Sequence, residues 1–399
     1  MRRRFTFRYI EEERAKALIT SEVPDMNNNI RVGSLFGIPF YVNPSWFLVL
    51  GLVTFSYGSG LAAQFPNLPS GLSWGLGLLT ALLLFGSVLA HELGHSFVAL
   101  KQGVGVRSIT LFIFGGLASL EKESETPAEA LQVAIAGPLV SLLLAGLATV
   151  LAVGTGVSGA PAAILSVLAS VNLALALFNL IPGLPLDGGN ILKALVWKVT
   201  GNRYKGMKFA GRVGQLIGWL AIASGLLPLV VFGSGLNFWN ILIGWFLLQN
   251  AGQAAQYGVV LDKLSGLTAA DAISVSSPVV NASSTLRAFA DQRILDQRVW
   301  QKFLVTNSDE QLIGTLSIDD LKEIPRELWS ETLVQSLAKP LDPSLMVQSD
   351  RPLSEVVTLL EERKLTALSV VQENNVLVGL LEKTAIVNLL QNREQAASA

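Results

Sequence analysis

Apolar residues come in long blocks over the first two thirds of the chain, and the stretch from residue 32 to residue 90 holds no Asp, Glu, Lys, Arg or His. Blocks of roughly 18 or more apolar residues read as membrane-spanning helices. Six are expected, over residues 46–64, 74–100, 128–153, 161–181, 211–232 and 236–257. The fourth breaks at "NLIPGLPLDGG", where Pro182, Pro185 and the Gly188–Gly189 pair cannot continue a helix. Beyond residue 258 the pattern shortens into alternating strands and amphipathic helices. "KFLVTNSDEQLIGTLSIDDL" (302–321) aligns with "LTALSVVQENNVLVGLLEKTAI" (365–386), each reading strand, polar turn, strand with glycine, then helix. Gly314 and Gly379 fall at matching places, 65 residues apart.

Charge sharpens this division. Charged residues make up 15% of the chain, against about 25% in ordinary soluble domains. Residues 1–258 hold 16 Lys/Arg and 11 Asp/Glu, and residues 259–399 hold 13 and 19. Neither part has a basic patch of the kind that binds nucleic acid. The loops "FPNLPSGLS", "GTGVSGAP" and "GSG" carry no charge, whereas Lys101, Arg107, Lys122, Lys193, Lys198, Arg203, Lys205, Lys208 and Arg212 follow the second and fourth spans. Lys/Arg bias marks the cytoplasmic face. Six spans then place both termini and the acidic C-terminal part in the cytosol. "MRRRFTFRYIEEERAKALIT" has a positive start without an apolar core, so it reads as a short cytosolic tail over residues 1–30 rather than a signal peptide.

Against this apolar background, "HELGH" (91–95) stands out. The chain has two His in all, His91 and His95, and both sit near the expected cytosolic end of the second span. Ionisable groups inside a membrane are costly and are retained for function. Positions i and i+4 share a helix face, so the two imidazoles can hold one tetrahedral Zn²⁺, with Glu92 beside them as general base. Catalytic zinc takes about three protein ligands. There is no cysteine and no third His, so a carboxylate must complete the set. Glu129, at the start of the third span, and Asp187, in the break after the fourth, are the candidates. Irregular backbone at membrane depth is tolerated where it lines a buried or wet site. Asp187 is therefore the expected third ligand, although an N-cap role before "ILKALVWK" explains it equally well when it is taken alone.

"HELGH" in an early span followed by "NLIPGLPLDGG" (179–189) in a later one resembles the site-2 proteases, zinc metalloproteases that cut substrates within the membrane. The likeness covers about residues 31–258. It implies one zinc per chain held by His91, His95 and Asp187, Glu92 as catalytic acid/base, and Asn179 as a group that orients substrate or steadies the oxyanion. "ITLFIFGGLASL" (109–120) is similar to that family's membrane-associated β-hairpin, whose edge can add a substrate segment as an extra strand. Gly137, Ser141, Ala145 and Thr149, at i+4 steps on the third span, form a small-residue face for close helix packing. Relatives often place a His near position 43, where this chain has Asn43.

The C-terminal repeat resembles a tandem pair of CBS domains, over residues 259–330 and 331–399. Such pairs commonly bind adenine nucleotides. The family's ribose pattern falls on Gly314, Ser317 and Asp320 in the first copy. The second copy has Gly379 but Glu382 and Ala385, so one ribose site is implied; a purely structural pair, serving as a homodimer contact, is an alternative. The expected fold is a polytopic α-helical membrane protein with a small β-hairpin, plus a cytosolic α/β module. Its expected function is intramembrane zinc endopeptidase, in a bacterial-type cell membrane or an internal membrane. The substrate class is a single-span protein such as an anti-sigma factor or another membrane-tethered regulator. A nucleotide-gated transporter and a catalytically inactive scaffold are the rival classes.

Overall fold

The computed structural model describes residues 29–113, 115–233, 235–274, 277–295 and 300–397. The expected N-terminal tail lies outside them, except for its last two residues. The chain divides into two compact units that part between Asp262 and Lys263.

The first unit opens with strands β1 (Ile30–Leu35) and β2 (Ile38–Val42), an antiparallel hairpin turning at Phe36–Gly37. Helix α1 (Ser45–Gln64) and helix α2 (Ser70–Lys101) follow. Strands β3 (Val106–Phe112) and β4 (Gly115–Leu120) form the hairpin that the alternation predicts. The sheet is larger than expected. β2 pairs in parallel with β3, so four strands run in the order β1-β2-β3-β4, with β4 at one edge. The first two strands were not foreseen from sequence, because "IRVGSLFGIPFYV" leads straight into an apolar span and reads as part of its approach.

Helix α3 (Pro127–Gly154) starts where its sequence dictates. The Thr126 hydroxyl accepts from the Glu129 N–H, the Glu129 carboxylate accepts from the Thr126 N–H, and Pro127 takes the first turn. Helix α4 (Ala160–Asn179) ends at the proline-rich break, and α5 (Asp187–Thr200) restarts the helix directly at Asp187. Gly201 closes α5 in the left-handed region (φ 68°), which a Cβ would oppose. Asn202 then caps α6 (Arg203–Phe232) by accepting from the Tyr204 and Lys205 N–H groups. Helix α7 (Phe238–Leu264) completes the unit.

Among the described residues, α1, α2, α3, α4 and α6 are long and apolar enough to cross a membrane. The expected sixth span is the helix α7, but it falls short of them in apolarity. Gln249, Asn250, Gln253 and Gln256 dilute its second half. The small-residue face of α3 also differs in detail. Gly137, Ser141 and Ala145 are buried, but the next inward position is Ala148, with Thr149 exposed. Steps of four overrun the 3.6-residue turn, and by the third step the face has moved on.

The second unit holds two three-stranded sheets of like topology. β5 (Val279–Asn281) runs parallel to β6 (Lys302–Thr306), which pairs antiparallel with β7 (Leu312–Ser317). β8 (Met346–Gln348) runs parallel to β9 (Ala367–Val371), which pairs antiparallel with β10 (Leu377–Glu382). The two hairpins are offset by 65 residues throughout. Helices α8 (Leu286–Leu295), α9 (Leu353–Glu362) and α10 (Lys383–Ala397) fill the repeat. The copies share a core, since Leu304 and Leu312 pack with Val371, Leu377 and Leu380.

Asp320 is a tie within this unit. Its carboxylate accepts from the Ser317 N–H at 2.8 Å and from Lys339 Nζ at 2.5 Å. The Lys339 ammonium, and after it the Ser317 N–H, hold the Asp320 carboxyl below the usual carboxylate range. A carboxylate with a depressed folded pKa stabilises above its unfolded value and loses that stabilisation as pH falls through the folded one. Asp320→Asn should therefore destabilise β6–β7 by about 1 kcal/mol near neutral pH, as loss of a cap does. The gap from wild type should close as pH drops below about 4. Hydrogen exchange of the β6–β7 amides in the full-length protein, run as a pH series, measures it; a gap that widens in acid contradicts the assignment.

Candidate metal centre

His91 and His95 lie one turn apart on α2, and Asp187 opens α5. The fold brings all three together, with one donor atom from each inside a 4.8 Å sphere of mutual distances. His91 Nε2 stands 3.1 Å from Asp187 Oδ2, His95 Nε2 stands 3.3 Å from Asp187 Oδ1, and the two Nε2 atoms are 3.3 Å apart. Two imidazole nitrogens this close need a shared proton or a cation between them.

Each ring is held by its other nitrogen. His91 Nδ1 is 2.9 Å from the buried Ser141 hydroxyl of α3, and His95 Nδ1 donates to the Val133 carbonyl at 2.6 Å. Both bonds turn Nε2 toward Asp187, and such outer partners fix tautomer and orientation at metal sites. Ser141 stands out in sequence as a small packing residue, and its tie to His91 is a finding of the structure. The carbonyl of Val133 carries no side-chain signal at all.

Glycines make the room. A Cβ on Gly137 would fall 2.6 Å from His91 Nε2 and would also run into His95 Nε2. The donors thus converge on a space that any side chain at 137 would fill. Gly94 lets α3 approach α2, since its Cβ would lie 3.0 Å from the Ala136 carbonyl oxygen. Gly116 of β4 leaves space for Glu92, whose Oε1 would be 3.0 Å from an added Cβ. Glu92 therefore lies against the edge strand and the donor cluster together. Asn179, at the end of α4, places Nδ2 3.5 Å from His91 Nε2. Glu129 is not among the converging groups, because its carboxylate is spent on the Thr126 and Glu125 N–H groups of its capping box.

Two imidazoles and one carboxylate suit Zn²⁺. Tetrahedral bonds of about 2.0–2.1 Å put donors roughly 3.3 Å apart; the two imidazole nitrogens stand at 3.3 Å, with one Asp187 oxygen 3.1 Å from the first and the other oxygen 3.3 Å from the second. The residues fit the ion. A bundle of long apolar helices with such a site near the end of one of them defines a membrane-embedded metallopeptidase.

A sequence profile for Peptidase family M50 matches residues 79–159 and 155–221, and one for the CBS domain matches residues 334–392. The chain is 54% identical over 366 residues to the putative zinc metalloprotease sll0528 of Synechocystis sp., covering 92% of this chain and 96% of that one. It is 31% identical to the putative zinc metalloprotease Rip3 of Mycobacterium tuberculosis over 370 residues, or 92% and 93% of the two chains. A solved site-2 protease from Methanocaldococcus jannaschii is 31% identical, with a TM-score of 0.41, over 57% of this chain and 95% of that chain. The chain belongs to peptidase family M50, the site-2 protease family, and is a zinc metalloprotease with a CBS domain, integral to a membrane.

Gly137→Ala should leave α3 helical, since alanine favours the helix, while its methyl group occupies the space between the imidazoles. Zinc content of the detergent-purified protein is expected to fall at least tenfold, a loss on the scale of disturbed metal surroundings, about 10–100-fold. Elemental analysis beside circular dichroism checks both halves; full zinc content in a folded variant contradicts the placement.

Proposed function

We propose that this chain is an intramembrane endopeptidase that cuts the transmembrane segments of single-span, membrane-tethered regulators such as anti-sigma factors. The convergence of His91, His95 and Asp187 within an apolar bundle, with Glu92 against an edge strand, carries this reading. His91, His95 and Asp187 are the metal ligands. Zinc, when bound, supplies a polarised water and a Lewis acid at neutral pH. Glu92, which is no ligand, takes a proton from the attacking water and passes it to the leaving amine. The Asn179 carboxamide, 3.5 Å from His91 Nε2, stands where it can orient the scissile carbonyl.

A helical substrate hides its peptide bonds and must be unwound before cutting. β4 is an edge strand, and edge strands accept extended segments through main-chain hydrogen bonds. We therefore assign β4 as the place where the unwound segment is held beside Glu92. The positive charges that follow α2, and those on α5 and the start of α6, support a cytosolic opening, and both termini belong on that side if α7 also crosses.

Glu92→Gln keeps the size of the side chain and removes the base. It should retain zinc and lose cleavage of a fluorogenic membrane substrate by at least about a hundredfold, the lower bound for general-base catalysis. Residual turnover well above that, at normal zinc content, removes Glu92 from this role.

The second unit is assigned an adenine nucleotide at Ser317 and Asp320 of the first copy, together with self-association of the module. Helix α7 runs to Leu264, past the Asp262–Lys263 division, so the chain passes from one unit to the next without a separate linker, which favours coupling between nucleotide and cleavage, provided that the ligand binds two states with different affinity. Calorimetric titration of the full-length protein with ATP, ADP and AMP should give one site per chain, abolished in Asp320→Ala. Cleavage rates measured with and without the bound nucleotide should differ. Two sites, or none, contradict the assignment.

A further inference from the structure

Segment 180–186 joins α4 to α5 and so sets where Asp187 stands. It leans on α6 at one place. The Leu184 N–H donates to the Ala210 carbonyl at 3.2 Å, and a Cβ added to Gly183 would fall 2.7 Å from Gly214 Cα. Seen from the helix, a Cβ on Gly214 would run into the Leu184 carbonyl oxygen and would lie 3.1 Å from the Leu184 nitrogen. The atoms in the way are backbone, which cannot swing aside as a long side chain can. The other flank is closed as well, with Ala251 Cβ of α7 only 2.9 Å from the added atom.

A displacement at Leu184 would be handed on. The Leu186 N–H donates to the Gly183 carbonyl at 3.0 Å, and the Gly189 N–H donates to the Leu186 carbonyl at 2.9 Å. A Cβ on Gly189 would meet the backbone of Gly183 and Leu184. Residues 183–189 thus form a tight backbone knot that includes Asp187. Two glycines pressed face to face, Gly183 and Gly214, fix that knot against α6.

We propose that Gly214, which belongs to neither sequence motif of the site, is a positioning residue for the metal centre: by lacking a side chain, it seats Leu184 and so holds Asp187 at its distance from His91 and His95. This rests on the reading of Asp187 as a ligand. Gly218 supplies the control. Its Cβ would meet Leu248 Cγ at 2.8 Å and the Gly244 carbonyl at 2.9 Å, so Gly218→Ala disturbs the same α6–α7 packing, one turn away and without touching segment 180–186.

The test is zinc affinity of the full-length protein in detergent, measured by competition with a chromogenic chelator, alongside the thermal midpoint of each variant. Gly214→Ala should weaken zinc binding about tenfold or more, and Gly218→Ala by no more than about threefold, given that loss of outer support at metal sites costs about 10–100-fold. Equal weakening in both variants, or unchanged affinity in Gly214→Ala, overturns the proposal. Should Gly214→Ala alone fail to give monodisperse protein, Gly214→Ala with Ala251→Gly relieves the α7 flank and keeps the Leu184 conflict, and the same outcomes apply. Asp187→Ala separates the two layers. If Asp187→Ala keeps full zinc affinity, the ligand reading fails; if it loses zinc while Gly214→Ala binds like wild type, only the positioning role fails.

Discussion

Everything in the first unit answers to one constraint: two imidazoles and a carboxylate must bring one donor atom each within 4.8 Å of one another in surroundings that leave them little solvent. An unpaired polar group in an apolar interior is costly. Each imidazole of the cluster is therefore bonded on its far side as well, and the carboxylate is placed where a helix favours its charge. Ser141 serves His91, the Val133 carbonyl serves His95, and Asp187 sits in the first turn of α5, where the helix dipole favours a negative charge. Without these outer bonds the rings would be free to turn their nitrogens away, and the donors would lose their common centre.

The second demand is space. Side chains of ordinary size keep backbones apart, and the site needs backbones closer than that. Gly94 brings α3 to α2, Gly137 clears the volume between the imidazoles, Gly116 admits Glu92 beside β4, and Gly183 with Gly214 sinks the proline-rich break onto α6. Gly137 and Gly116 face the imidazoles and Glu92 themselves, and the others close the helix and backbone contacts around them. The irregular segment 180–186 also satisfies its backbone locally, through Leu184 to Ala210 and Leu186 to Gly183. It can therefore exist at membrane depth without exposing unpaired polar groups.

The chemistry was more legible in the sequence than the architecture that holds it. His91, Glu92, His95 and Asp187 are conspicuous because an ionisable residue in an apolar block has few ordinary explanations. Asp187 is preferred to Glu129 already from the proline-rich break in which it sits, and the structure adds where Glu129 goes, its carboxylate closing a capping box. The strands β1 and β2 escaped notice because β2 joins the sheet through β3, which lies across two intervening helices, and periodicity reports nothing about such distant pairing. Gly214 was invisible for a related reason. A glycine in a helix of small residues looks like packing, and its contact with Leu184 exists only once the break has folded back.

The second unit shows how a repeat can change the residues that tie it together and keep its fold. In the first copy, Thr315 exchanges two backbone hydrogen bonds with Lys339, and the Lys339 ammonium reaches Asp320. The places 65 residues away are Leu380 and Ser274, and there the Ser274 N–H donates to the Leu380 carbonyl while the Ser274 hydroxyl donates to Glu382 at 3.1 Å. One copy ties its crossing segment with a charged pair, and the other with a hydroxyl and a carboxylate. Glu382 stands where the first copy has Ser317, and Ala385 where it has Asp320. The tie has therefore moved from the third residue of the pattern to the second, and the crossing segment is held in either case. With that structural duty met by Glu382, the second copy holds its crossing segment without the aspartate that does so in the first.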